Sequence, residues 1–162
     1  MRISAVAVLV WALTMAPSAF AEPCTFDAQG VAAQLQRIAR QNPGFQPVPG
    51  KPAVQWREPD GGFVQVSYGG CVDLYAEVLL RHGPGSARAV SLDDLLSAVE
   101  RYWSPAQAQA VRAARQSGQL VRSTQGDATV YEASPDEASG LFPFGFTIRL
   151  EERQATLTWP AG

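Results

Sequence analysis

The chain has few of the residues on which most enzymes and metal sites depend. Its 162 residues include one histidine, His82, and two cysteines, Cys24 and Cys71. A tetrahedral metal site needs several nitrogen and sulfur ligands, and this set is too small to supply them. The sequence also lacks a Gly-x-Ser-x-Gly elbow, a glycine-rich phosphate loop and a His-Glu-x-x-His motif. We therefore predict no cofactor, no metal and no catalytic residues.

The chain also has no strong excess of basic or of acidic residues. The chain has 13 lysine and arginine residues against 15 aspartate and glutamate residues, and long runs of either sign are missing. A protein that binds nucleic acid needs a basic face that neutralises phosphates. The composition thus argues against a nucleic-acid partner.

The longest apolar run lies close to the N-terminus. Arg2 is followed by an apolar run over 3–15, by Pro17, and by the small-residue site Ala19-Phe20-Ala21. This order is typical of a secretory signal peptide, and the run is shorter than the roughly 20 residues that span a membrane. We predict a signal peptide over 1–21 that is cleaved, and a periplasmic or extracellular protein with no stable membrane anchor. Residues 22–162 have the length of a single domain.

The predicted location indicates the oxidation state of the two cysteines. In an oxidising compartment, a pair of cysteines most often forms a disulfide bond, and Cys24–Cys71 is the one intramolecular pairing. In the chain-entropy model such a bond stabilises the fold by about 4 kcal/mol. A reactive thiol or a metal ligand is the weaker interpretation, because neither cysteine belongs to a closely spaced pair. We predict a structural disulfide.

Helix and strand signals alternate along 22–162. Apolar spacing and capping residues predict a helix after Asp27 and a pair of helices that begin after Ser91 and Ser104. Alternating apolar residues predict hairpin strands at 54–57 with 64–68, at 119–125 with 128–133, and at 146–151 with 155–159. The order predicts an α+β fold with an N-terminal helix, an antiparallel sheet of about 6–7 strands in hairpins, and a central pair of helices packed on one face.

The segment after Cys71 is ambiguous. Its apolar residues over 72–82 fit the period of a strand and the period of a helix equally well. We favour a strand, because Gly69-Gly70 permits a tight reversal after the preceding strand.

Two hypotheses about function remain. The first is a small exported binding or inhibitory protein that acts through a protein–protein interface, such as an immunity-type protein or an enzyme inhibitor, with another envelope or exported protein as its partner. The alternative is an envelope enzyme or ligand carrier whose carboxylate and aromatic cleft is built from Asp73, Glu77, His82 and Tyr75. The missing catalytic motifs favour the first.

The stretch 140–146, with the sequence GLFPFGF, is the candidate interface. Three phenylalanines and a leucine stand in a loop punctuated by glycine and proline. In one interpretation these aromatic side chains fill one end of the core. In the other, Phe142 and Phe144 stay exposed around Pro143 and anchor a partner.

Overall fold

The computed structural model describes residues 27–70, 73–135 and 140–161. The helices are α1 (Ala28–Gln41), α2 (Leu92–Tyr102) and α3 (Pro105–Gln116). The strands are β1 (Gln46–Pro47), β2 (Ala53–Arg57), β3 (Phe63–Gly69), β4 (Tyr75–Arg81), β5 (Val121–Gln125), β6 (Ala128–Ala133), β7 (Phe146–Leu150) and β8 (Gln154–Pro160). The fold is α+β, as predicted, with more strands than the expected 6–7.

Each helix begins at the capping residue that the sequence indicates. The Asp27 carboxylate accepts a hydrogen bond from the backbone N–H of Gly30 at 2.9 Å. Ser91 and Asp94 form a reciprocal capping box at the start of α2, and the Ser104 hydroxyl accepts from the N–H of Gln107 at 3.2 Å. These bonds satisfy N–H groups that have no partner inside the helix. The predicted helix starts are confirmed.

All eight strands belong to one antiparallel sheet with the order β1-β2-β3-β4-β8-β7-β6-β5. Strands β1–β4 form one meander and β5–β8 form another, and the two meanders meet where β4 pairs with β8. Exchanging the halves leaves this order unchanged, so the topology has an approximate two-fold symmetry. The ambiguous segment is a strand over Tyr75–Arg81, which confirms the favoured interpretation.

One face of the sheet carries the core. Alternate residues of the strands point to this face and pack against α1, α2 and α3 in one continuous cluster. Leu95 and Leu96 of α2 and Leu157 of β8 are fully buried there. Burial of such a side chain stabilises the fold by about 1.5–3 kcal/mol relative to its exposure. In β3, β4 and β8, the apolar alternation therefore fixes which face of the sheet turns toward the helices.

The opposite face of the sheet carries none of the three helices in the described part of the chain. Its residues are mostly polar and half-buried, because the sheet surrounds them while their tips reach solvent. We call this surface the open face. Within the described ranges, the helices are too short and too polar to cross a bilayer.

Candidate functional site

A row of polar side chains crosses the centre of the open face. The strand registers place Ser67 opposite Glu77, Glu77 opposite Thr158, and Thr158 opposite Thr147. Thr147 in turn lies opposite Glu132 on β6. Directly opposed residues on one face of a sheet are close enough to interact through their side chains. Five neighbouring strands thus present hydroxyl and carboxylate groups along one line.

Glu77 lies in the middle of this row. Burial raises the pKa of the Glu77 carboxyl, while hydrogen bonds from the Thr158 and Ser67 hydroxyls lower it by less than the burial raises it. Ionisation of Glu77 is therefore less favourable in the folded protein than in the unfolded chain. The stability that Glu77 contributes is fully present below its unfolded pKa of about 4.5. It is lost as the pH rises through the higher folded pKa.

The raised pKa of Glu77 predicts the effect of Glu77→Gln. The glutamine keeps an acceptor for the two hydroxyls but cannot ionise. We expect the variant to be more stable than the parent at pH 7, by up to about 0.5 kcal/mol, because the parent must ionise there. The gain should disappear as the pH falls below the unfolded pKa. Urea denaturation at a series of pH values measures it.

Asp94 provides a control, because its pKa is shifted in the direction opposite to that of Glu77. Burial raises the pKa of the Asp94 carboxyl, but hydrogen bonds from Ser91 and Arg88 outweigh it and leave the pKa below its usual value. Asp94→Asn should therefore destabilise the protein at pH 7, with a loss that fades as the pH falls through the lowered folded pKa. A Glu77→Gln variant that is less stable at pH 7 than at pH 4, relative to the parent, would contradict the assignment.

A depression of about 450 Å³ lies at one end of the open face. It forms where β4 and β7 begin and where β6 and β8 end, so four strand termini converge on it. Its aromatic, acidic and hydroxyl side chains come from distant parts of the sequence: Asp73, Tyr75, Glu132, Phe144, Thr147 and Thr158. We call it the aromatic depression. A concave surface with apolar walls and a few polar groups is the usual form of a binding site.

Tyr75 is exposed at the edge of this depression although it is a large aromatic residue. It lies opposite Gly69 on β3, and a Cβ atom at Gly69 would collide with the Tyr75 ring. The ring therefore lies across the space that a side chain of Gly69 would fill. This contact holds the Tyr75 ring on the open face, with 41% of the residue accessible to solvent.

Phe144 reaches the other side of the depression through a tight turn. The N–H of Gly145 donates to the carbonyl oxygen of Phe142 at 2.9 Å, with Pro143 and Phe144 at the two central positions. Proline is favoured at the first central position of such a turn. Gly145 has a φ of 79°, and a Cβ there would collide with the carbonyl oxygen of Ala133. The turn leaves Phe144 at its tip, 59% exposed.

The predicted interface residue Phe142 lies on the other side of this turn, in the core. Phe142 is fully buried and packs against Phe146 and Trp159, with ring centroids 4.6 Å and 6.0 Å away. It cannot contact a partner in this conformation and belongs to the core. Phe142 is buried, as the core interpretation predicts, and Phe144 is exposed, as the interface interpretation requires.

The structure does not bring the residues of the alternative cleft together. Asp73 and Tyr75 line the aromatic depression, whereas Glu77 lies in the central row. His82 follows the far end of β4, seven residues beyond Tyr75, which corresponds to roughly 23 Å along a strand. There its Nδ1 lies 3.2 Å from the carbonyl oxygen of Arg88. A single cleft made by all four residues is therefore corrected to three separate positions.

Other predicted features fall outside the described residues. They are the signal peptide over 1–21 and both cysteines of the disulfide, Cys24 and Cys71. Sequence reasoning missed Glu132, Thr147 and Thr158 as contributors to the depression. Each is an outward residue in an alternating strand, and nothing local marks one outward residue above another.

No protein-family model matches this chain, and comparisons with curated proteins and with solved structures find no significant match.

Proposed function

We propose that this chain is an exported, non-catalytic binding or inhibitory protein that engages another envelope or exported protein through the open face of its sheet. The observation that carries the proposal is the pair of exposed aromatic rings, Tyr75 and Phe144, on the rim of one depression. They are far apart in sequence and line the same depression only because of the fold. Aromatic side chains at the edge of a pocket are typical of residues that dominate binding energy at protein interfaces.

The surroundings of the two rings also support this function. The open face offers short hydroxyl side chains, Ser67, Thr147 and Thr158, beside the aromatic depression. An interface typically combines a central apolar anchor with a polar area that forms hydrogen bonds. A β-sheet supplies this pattern on a rigid surface, which lowers the entropy lost when a partner binds.

Capture of partners from an envelope extract of the source cells tests the proposal, with the mature protein as bait and the captured protein then purified for a binding assay. In Phe144→Ser with Tyr75→Thr, we expect at least tenfold weaker binding, because loss of one interface anchor costs more than 1 kcal/mol. The melting temperature should change little, since both side chains are exposed.

Ala32→Ser is the control. Ala32 is exposed on α1, which packs on the opposite face of the sheet. The substitution changes an exposed apolar side chain away from the depression and should leave binding unchanged. The proposal fails if the aromatic double variant binds the captured partner as tightly as the parent, or if the control loses binding to the same extent.

A further inference from the structure

We propose that the aromatic depression is a receptor for an arginine side chain presented by the protein partner. This inference rests on the proposed function and adds the chemistry of the contact to it. The occupant is a guanidinium group that enters the depression beside the exposed aromatic residues Tyr75 and Phe144 and meets the exposed carboxylates of Asp73 and Glu132.

The charge of the depression indicates that its occupant is a cation. Two of the described residues that line it, Asp73 and Glu132, are acidic, and none is basic. Neither carboxylate forms an ion pair within the described part of the chain. Among the described carboxylates, four have arginine partners, namely Asp93, Asp94, Glu100 and Glu151. The depression thus carries negative charge that no described residue neutralises through an ion pair, and a cation is its electrostatic complement.

The aromatic walls select among cations. A guanidinium group is planar, stacks on aromatic rings, and loses less on leaving water than an ammonium group. The protein itself places Arg101 in this way, with its guanidinium carbon 5.0 Å from the Tyr102 ring centroid. Tyr75 and Phe144 offer ring surface that no described residue covers in this manner. An arginine therefore fits the depression better than a lysine.

The hydrogen-bonding capacity agrees with the same occupant. A guanidinium group has five N–H donors in a fixed plane and pairs with a carboxylate through two parallel bonds. The depression provides the carboxylates of Asp73 and Glu132 and the hydroxyl oxygens of Thr147 and Thr158 as acceptors. Its volume of about 450 Å³ lies in the range of pockets that enclose small ligands, so a side chain enters without a change in the sheet.

Binding of blocked tripeptides to the mature protein tests this proposal without knowledge of the partner. The probes are acetyl-Gly-Arg-Gly-amide and its citrulline and lysine counterparts, followed through the backbone amide signals of Thr147 and Thr158 in ¹⁵N-edited NMR spectra. We expect saturable binding of the arginine peptide with a Kd on the order of 1 mM. Citrulline, which has nearly the same shape without the charge, should bind at least tenfold more weakly, and lysine should lie between them.

Variants locate the contact. Asp73→Asn with Glu132→Gln should abolish saturation by the arginine peptide, whereas Glu58→Gln should not, because Glu58 lines a different depression beside His82. The proposal is overturned if the arginine and citrulline peptides bind alike, if no saturation occurs, or if the neutralised double variant binds as the parent does.

The partner assay separates this inference from the function on which it rests. If binding to the captured protein is lost in the aromatic variant but unchanged in Asp73→Asn with Glu132→Gln, the interface stands and the arginine contact is refuted. If both variants lose binding at least tenfold, both are supported. If neither variant loses binding, both are refuted.

Discussion

Replacement of Phe142 by alanine is expected to lower the free energy of unfolding by about 3–5 kcal/mol, the usual cost of removing a buried phenylalanine. Phe142 is fully buried and contacts the rings of Phe146 and Trp159. The truncation leaves a cavity at the end of the core where β7 begins, and it removes both aromatic contacts. Since small domains are stable by only about 5–15 kcal/mol, a large part of the protein's stability should be lost.

Phe144→Ala is the control, because it removes the same atoms two residues further along the chain. Its side chain is exposed, and its loss should change the free energy of unfolding by no more than about 0.5 kcal/mol. Urea denaturation followed by tryptophan fluorescence measures both variants. Equal losses in the two variants would show that the turn at Pro143 does not separate a core residue from a surface residue.

Replacement of either cysteine by serine is the second change with a large expected effect. Cys24→Ser and Cys71→Ser should each lower the free energy of unfolding by about 2–5 kcal/mol, as is typical when a native disulfide is lost. The double variant should be no less stable than either single variant, since one bond is removed in all three. Denaturation with and without reductant measures this.

The described neighbours of the cysteines are compatible with that bond. Asp27 and Leu74 each follow a cysteine by three residues, and both line one small depression. Three residues of extended chain span at most roughly 11 Å, so a bond requires no rearrangement of α1 or β4. Strongly unequal losses in the two single variants, or two free thiols in protein isolated under oxidising conditions, would contradict the disulfide.

Much of the fold was predictable because its signals are local. Ser91 with Asp94, and Ser104 with Pro105, define helix starts within four residues, and their hydrogen bonds form inside that same stretch. The hairpin strands were predictable for a similar reason, since the turn and the alternation lie side by side in the sequence.

Strands β4 and β1 could not be predicted from local sequence signals alone. The apolar residues after Cys71 fit two periods, and the strand exists because β3 and β8 pair with it from both sides. The sequence before 82 does not contain β8, so no local pattern reveals this pairing. The two-residue strand β1 was missed because Pro47 lies in a proline-rich connector, and it is tolerated there only at the edge of the sheet.

The candidate site was less predictable than the fold. The sequence singled out Phe144 as a loop aromatic residue and Tyr75 as a candidate cleft residue, but their place in one depression depends on the order of the strands. Glu132 joins them because β6 ends at the same edge of the sheet where β4 begins, with β8 and β7 between the two strands. A site built from strand termini is therefore visible only after the topology is known.

The pairing of β4 with β8 also sets the order in which the sheet can be completed. In a chain that emerges from its N-terminus, β1–β4 can form their meander early, but the outer side of β4 has no partner until β8 appears. An unpaired strand with alternating apolar residues invites pairing with another chain. The pairing of β4 with β8 joins residues far apart in sequence, so the sheet closes in a late step.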